Sequence, residues 1–142
     1  MSITLETART IIAGTRAAGA RDGLKPLTVV VLDAGGHVLA VEREDGSANK
    51  RFEVAHGKAH GALALGLGSR ALMARAEQQP WFISSVTAAV GGALIPVPGG
   101  VLMRDANGAL LGAVGVSGDT SDNDENAAGA GLELAGLTPQ TE

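Results

Sequence analysis

The sequence predicts an α+β domain spanning residues 1–142, with a five-stranded antiparallel sheet and helices before, between and after its strands. Three observations predict it. The turns Asp33-Ala34-Gly35-Gly36 and Asp105-Ala106-Asn107-Gly108 each lie between two branched apolar runs, so each reads as a hairpin tip. The residues between the hairpins do not repeat and carry alanine at helical spacing. Hairpin connections make a sheet antiparallel, and helices at both ends and in the middle supply the apolar faces that cover it.

In order, residues 4–20 predict the first helix. Thr4 is its N-cap and Glu6 sits in the first turn, while Leu5, Ala8, Ile12 and Thr15, with Ile11 beside them, recur at helical spacing. Gly19 and Asp22-Gly23 end it. Leu27–Leu32 is a strand by its branched residues, and His37–Arg43 returns as a second. Ser47–Lys50 is a polar entry to an Ala-rich helix from Arg51 to about Leu67, and Ser69–Glu77 forms a shorter one. After Gln78-Gln79-Pro80, residues Trp81–Val90 read as a short helix or loop, broken at Gly91-Gly92. Ala93–Val97 is expected as a strand, at an edge or a bulge because Pro96 has no N–H. Val101–Arg104 and Ala109–Val116 complete the sheet. The turn Ser117-Gly118-Asp119-Thr120-Ser121 leads into a last helix over about Asp122–Ala135, stopped by Gly136. Ser121 is its expected N-cap, and Asp122, Asp124 and Glu125 fall where the helix dipole favours carboxylates.

Composition excludes several functions. There is no cysteine, so neither a disulfide nor a thiolate metal site is available. No charged-then-apolar leader opens the sequence and no apolar run is long enough to span a bilayer, so the expectation is a cytoplasmic protein with no membrane partner. Eleven basic and eight acidic residues lie at or before Arg104, a net +3. The last 38 residues hold seven acids and no base. The net charge of −4 and only three aromatic residues, Phe52, Trp81 and Phe82, argue against nucleic acid. With 21 glycines and few aromatics the core is thin, and its small-residue helix faces suit contact between copies; a homo-oligomer is expected.

Lys58 is the most informative charge. It lies mid-helix in His56-Gly57-Lys58-Ala59-His60-Gly61-Ala62, among residues too small to shield it. It either snorkels to solvent or enters a pocket as a cation, base or amine nucleophile. His56 and His60 share one helix face at a ligand spacing, but no third ligand follows at helical spacing, so no metal site is expected. Asp119, Asp122, Asp124 and Glu125 do not match a calcium loop, and capping accounts for the acids of the first turn. The glycine turns at 98–100 and 115–118 expose amides suited to an anion, but neither is followed by a phosphate-loop lysine. Gly115-Val116-Ser117-Gly118 falls one residue short of a nucleophile elbow.

These stretches resemble a known family. LDAGGHVLAV, AHGKAHGAL, PVPGGV and GAVGVSGDTSDNDE are similar to the GlcG/HbpS-like family, which includes the C-terminal domain of PduO proteins, and the resemblance covers nearly the whole chain. It implies a profilin-like sheet between helices, assembled into dimers or rings. It also implies a small-molecule partner and, for some members, haem held by a histidine near the N-terminal helix. This chain has no histidine before His37 and no tyrosine, so that ligand does not carry over.

Three functions follow as expectations. The first is a haem- or small-ligand-binding protein whose pocket lies between the Lys58 helix and the Val116–Glu125 turn, with His56, His60, Gly99, Gly100, Ser117 and Gly118 as ligand-binding residues. The second is an enzyme of lyase, isomerase or hydrolase type acting on a small carbonyl or carboxylate compound. There Lys58 holds an anionic group or acts as base, the Gly99-Gly100 amides bind an oxyanion, and Asp124 or Glu125 moves a proton. The third is an interaction module without chemistry.

Overall fold

In each predicted hairpin turn, the aspartate holds the loop with its own carboxylate. Asp33 Oδ1 accepts from the amides of Gly35 and His37, and Asp105 Oδ1 from those of Asn107 and Ala109, at 2.8–2.9 Å. Gly36 and Gly108 take φ near +83° and +82°, the conformation that closes both turns. The computed structural model describes residues 2–142. Its elements run α1 (Leu5–Arg21), β1 (Thr28–Asp33), β2 (Val38–Arg43), α2 (Arg51–Leu65), α3 (Ser69–Gln78), α4 (Pro80–Ala89), β3 (Gly100–Arg104), β4 (Leu110–Ser117), α5 (Ser121–Leu134) and β5 (Thr138–Gln140).

The two hairpins join through their inner strands. The sheet order is β2-β1-β4-β3-β5, antiparallel throughout, with β1 and β4 paired from Thr28↔Ser117 to Asp33↔Gly112. Period-two alternation sends successive residues of β1 to opposite cores. Val29 and Val31 face α1 and α5, beside Ile11, Ile12, Ala128 and Leu132. Val30 and Leu32 face α2, beside Ala55, Ala59, Ala62, Leu102 and Ala113. The α2 side is packed with alanine because the helix lies almost on the backbone of β4: a Cβ on Gly115 would come within 1.9 Å of the Ala55 carbonyl oxygen. A third, smaller cluster of Leu72, Ile83 and Leu94 holds α3 and α4 together outside α2.

Two expectations are corrected. Ala93–Val97 forms no strand. Pro96 and Pro98 remove two donors, and the amides of Leu94 and Val97 turn back to the carbonyls of Gly92 and Ile95. The edge of β3 is taken by β5 instead, which pairs Leu102↔Gln140 through Arg104↔Thr138. The cap of α5 is Thr120, not Ser121: its hydroxyl accepts from Asn123 N at 3.2 Å, and the helix already includes Ser121. Two other boundaries resolve cleanly. Thr4 caps α1, accepting from Thr7 N at 3.1 Å. Of Trp81–Val90, residues 81–89 are helical and Val90 caps the end, with Pro80 in the first turn where its missing N–H costs nothing.

Candidate functional site

Helix α2 presents chemistry on two sides. On the sheet side, Lys58 is 2% exposed and Asp124 1%, so the pair is sealed. Lys58 reaches the C-terminal end of β4, donating to the Val116 carbonyl at 2.9 Å and to Asp124 Oδ2 at 3.1 Å. Asp124 Oδ1 accepts from the Asp119 amide at 2.9 Å. The ion pair thus ties α2, on one face of the sheet, to α5 on the other. Burial pushes Lys58 down and Asp124 up from their ordinary values, and the attraction between them opposes both shifts.

The neighbouring residues lock this pair in place. Gly99, at φ +120°, lies against the ammonium: a Cβ there would sit 2.9 Å from Lys58 Nζ and 2.8 Å from the Val116 carbonyl oxygen. The Gly100 amide donates to Ser69 Oγ at 2.7 Å, and so is not free for the oxyanion expected of it. Arg51 Nη1 donates to Ser117 Oγ at 2.9 Å. A Cβ on Gly118 would come within 2.2 Å of the Pro26 carbonyl oxygen, so Gly118 packs the turn against the chain entering β1. Arg70 of α3 bonds Asp122 and donates Nε to both oxygens of Glu125 at 3.1 Å; burial raises Glu125, and the guanidinium opposes the rise. The expected pocket between the Lys58 helix and the Val116–Glu125 turn is therefore filled by direct contacts.

On the opposite side of α2, a cleft of about 500 Å³ opens, lined by Lys50, Phe52, Glu53, Val54, His56, Gly57, Gly92, Ala93 and Ile95. Phe52 and His56 stand on its wall and His60 lies behind them; at successive i, i+4 positions the three rings stack, with centroids 5.6 Å and 5.4 Å apart and planes 22° and 24° from parallel. His60 Nδ1 lies 2.8 Å from the Ala93 carbonyl oxygen. His56 is half-buried and makes no hydrogen bond among the described residues. Burial, and then the adjacent His60, hold its imidazole below the ordinary histidine value, which favours the neutral ring. Lys50 and Glu53 stand at the mouth as a loose 3.9 Å pair.

Of the residues singled out from sequence, the structure places Lys58, Asp124, Gly99, Gly100, Ser117 and Gly118 in the sealed cluster, and Glu125 beside it with Arg70. His56 alone lines the cleft, with His60 stacked behind it. Phe52 and Ile95 line the cleft although neither is among the site residues expected from sequence. Phe52 carried a signal, lying four residues before His56; Ile95 carried none, since its place depends on an irregular segment. Among the described residues, no group of three or more metal-ligating side chains converges, and no helix is long and apolar enough to cross a membrane.

Comparison with known proteins decides the family. The model of the family described as haem degrading protein HbpS-like matches residues 3–133. The chain belongs to the HbpS-like family. A crystal structure of HbpS is 28% identical, with a TM-score of 0.79, covering 94% of this chain and 90% of that one. The Klebsiella pneumoniae protein ORFY is 25% identical, with a TM-score of 0.83 over 94% of this chain and 90% of its own. A PduOC:haem complex shares the fold at 19% identity, with a TM-score of 0.85 over 96% of this chain and 97% of that one. No match was found among curated proteins.

Proposed function

We propose that this HbpS-like protein binds haem in the cleft beside α2, with His56 as the iron ligand. The observation that carries the reading is an imidazole with no hydrogen-bond partner, among the described residues, on the wall of an apolar cleft. The cleft volume of about 500 Å³ lies within the roughly 300–1,000 Å³ of small-molecule sites. The donor set fits the group: histidine is a common proximal haem ligand, Phe52 and Ile95 offer apolar surface to a flat ring, and Lys50 offers a cation to a carboxylate. Bound haem supplies iron redox and oxygen chemistry. The protein's part would be to supply the His56 imidazole to the iron, to exclude water with the apolar wall of Phe52 and Ile95, and to offer the Lys50 ammonium to a carboxylate of the group. The family's description as haem degrading proteins and the haem complex of its neighbour PduOC support the same ligand.

The enzyme reading centred on Lys58 with Asp124 or Glu125 has less support. Lys58 and Asp124 are each at most 2% exposed and already paired, and neither lines the cleft. A haemin titration of the apo-protein tests the proposal. The expected result is a saturable Soret shift at one equivalent, weakened in His56→Ala. Linear, non-saturable uptake, or an unaltered titration in His56→Ala, overturns it.

A further inference from the structure

The far wall of the cleft is the irregular segment from Gly92 to Ile95, and the sequence gives it little of its own to hold it. Consecutive glycines mark its start, Gly91 just before it at φ +87° and Gly92 as its first residue at φ +99°, and a Cβ on either would meet nothing within 4 Å. The segment joins no sheet, so its attachment to α2 must come from specific contacts. One is steric. Helix α2 has glycine where Leu94 and Ile95 seat, and a Cβ on Gly57 would lie 2.5 Å from Ile95 Cγ1, one on Gly61 2.8 Å from Leu94 Cγ. A second is the Ile95 amide, which donates to the Gly57 carbonyl at 3.1 Å. The third is His60, whose Nδ1 meets the Ala93 carbonyl oxygen at 2.8 Å. A carbonyl oxygen only accepts, so Nδ1 carries the proton in this contact. The same ring stacks against His56.

We propose that His60 is a positioning residue of the cleft: its Nδ1–H anchors the 92–95 wall to α2 while its ring fixes the plane of His56. His60 does not line the cleft, so it acts on a ligand only through the Ala93 carbonyl and the His56 ring. This rests on the haem reading only for its effect on ligand binding; the anchoring of the wall stands apart from it.

Two readouts separate these. In the ligand-free protein, amide hydrogen exchange at Ile95 reports whether the wall is docked, with Val114 in the central strand as control. His60→Leu keeps bulk and removes the donor, and exchange at Ile95 is expected to quicken about tenfold with Val114 unchanged. His60→Asn is expected to restore the wild-type rate, because the asparagine amide nitrogen is separated from Cβ by one atom, as Nδ1 is. Should His60→Leu not fold, His60→Asp serves in its place, having the shape of asparagine without the donor. The haemin dissociation constant should rise about tenfold for leucine and by less for asparagine, which keeps the donor but has no ring to stack on His56. Ile95 exchange that ignores His60→Leu, or that asparagine fails to restore, overturns the proposal. If Ile95 follows the expected order while the wild-type protein takes up no haemin, the ligand reading falls and the anchor stands.

Discussion

Two regions of one helix, less than a turn apart in sequence, meet opposite fates. Lys58 points toward the sheet and finds Val116 and Asp124, losing contact with water; His56 points away and lines the open cleft. A buried ion pair gives back in Coulomb energy much of what desolvation costs, but it leaves the ammonium no freedom to meet a substrate. A half-buried imidazole without a hydrogen-bond partner keeps its lone pair available. On the proposed haem reading, residual access and not the reactivity of the side chain marks the site.

The largest test of this contrast is Lys58→Met. It leaves the Asp124 carboxylate buried without its cation and is expected to cost about 3–5 kcal/mol in urea denaturation. Removing both charges, in Lys58→Met with Asp124→Leu, should recover part of that loss, since apolar replacement of a whole buried pair is often tolerated. A Lys58→Met protein with a wild-type urea midpoint but no ligand binding would exchange the roles of the two regions.

On the cleft side the expected pattern is the reverse. His56→Ala should raise the haemin dissociation constant about tenfold or more while its folding free energy stays within about 0.5 kcal/mol of wild type. A smaller effect sharpens the account of the sealed region through its acidic turn. Thr120→Ala should cost about 1 kcal/mol in thermal or urea unfolding, and Ser121→Ala well under half of that, because the cap is the threonine.

The smallest effect is one of pH. Asp119 accepts from the Lys25 amide, the Asn123 side chain and the Thr120 amide, and these bonds bring its carboxyl down to about 2. Since that lies below the unfolded value, the folded state binds this proton less readily. The contribution is complete above about pH 4 and fades as pH falls toward 2. The stability difference between wild type and Asp119→Asn should accordingly shrink from pH 5 to pH 2; a constant difference would mean those bonds do not favour the ionised form.

Much of this protein was determined by local sequence. The two Asp-x-x-Gly turns specify hairpins because an aspartate carboxylate and a positive-φ glycine close them without outside help. Thr4 and the helical spacing behind it specify α1 for the same reason, and the stretches around Lys58 and Gly115–Glu125 carried the family. Tertiary structure alone decided the rest. Both Ala93–Val97 and Thr138–Gln140 are proline-containing segments of modest strand character, and the free edge of β3 selected the second because the first is drawn onto the glycine face of α2. Thr120 and Ser121 are both good caps, and the choice depended on Asp124 reaching back to the Asp119 amide. Which side of α2 faces water follows from the Ala55 backbone resting on Gly115, a contact between residues sixty apart. That contact turns Lys58 inward and His56 out, and helical spacing by itself cannot encode it.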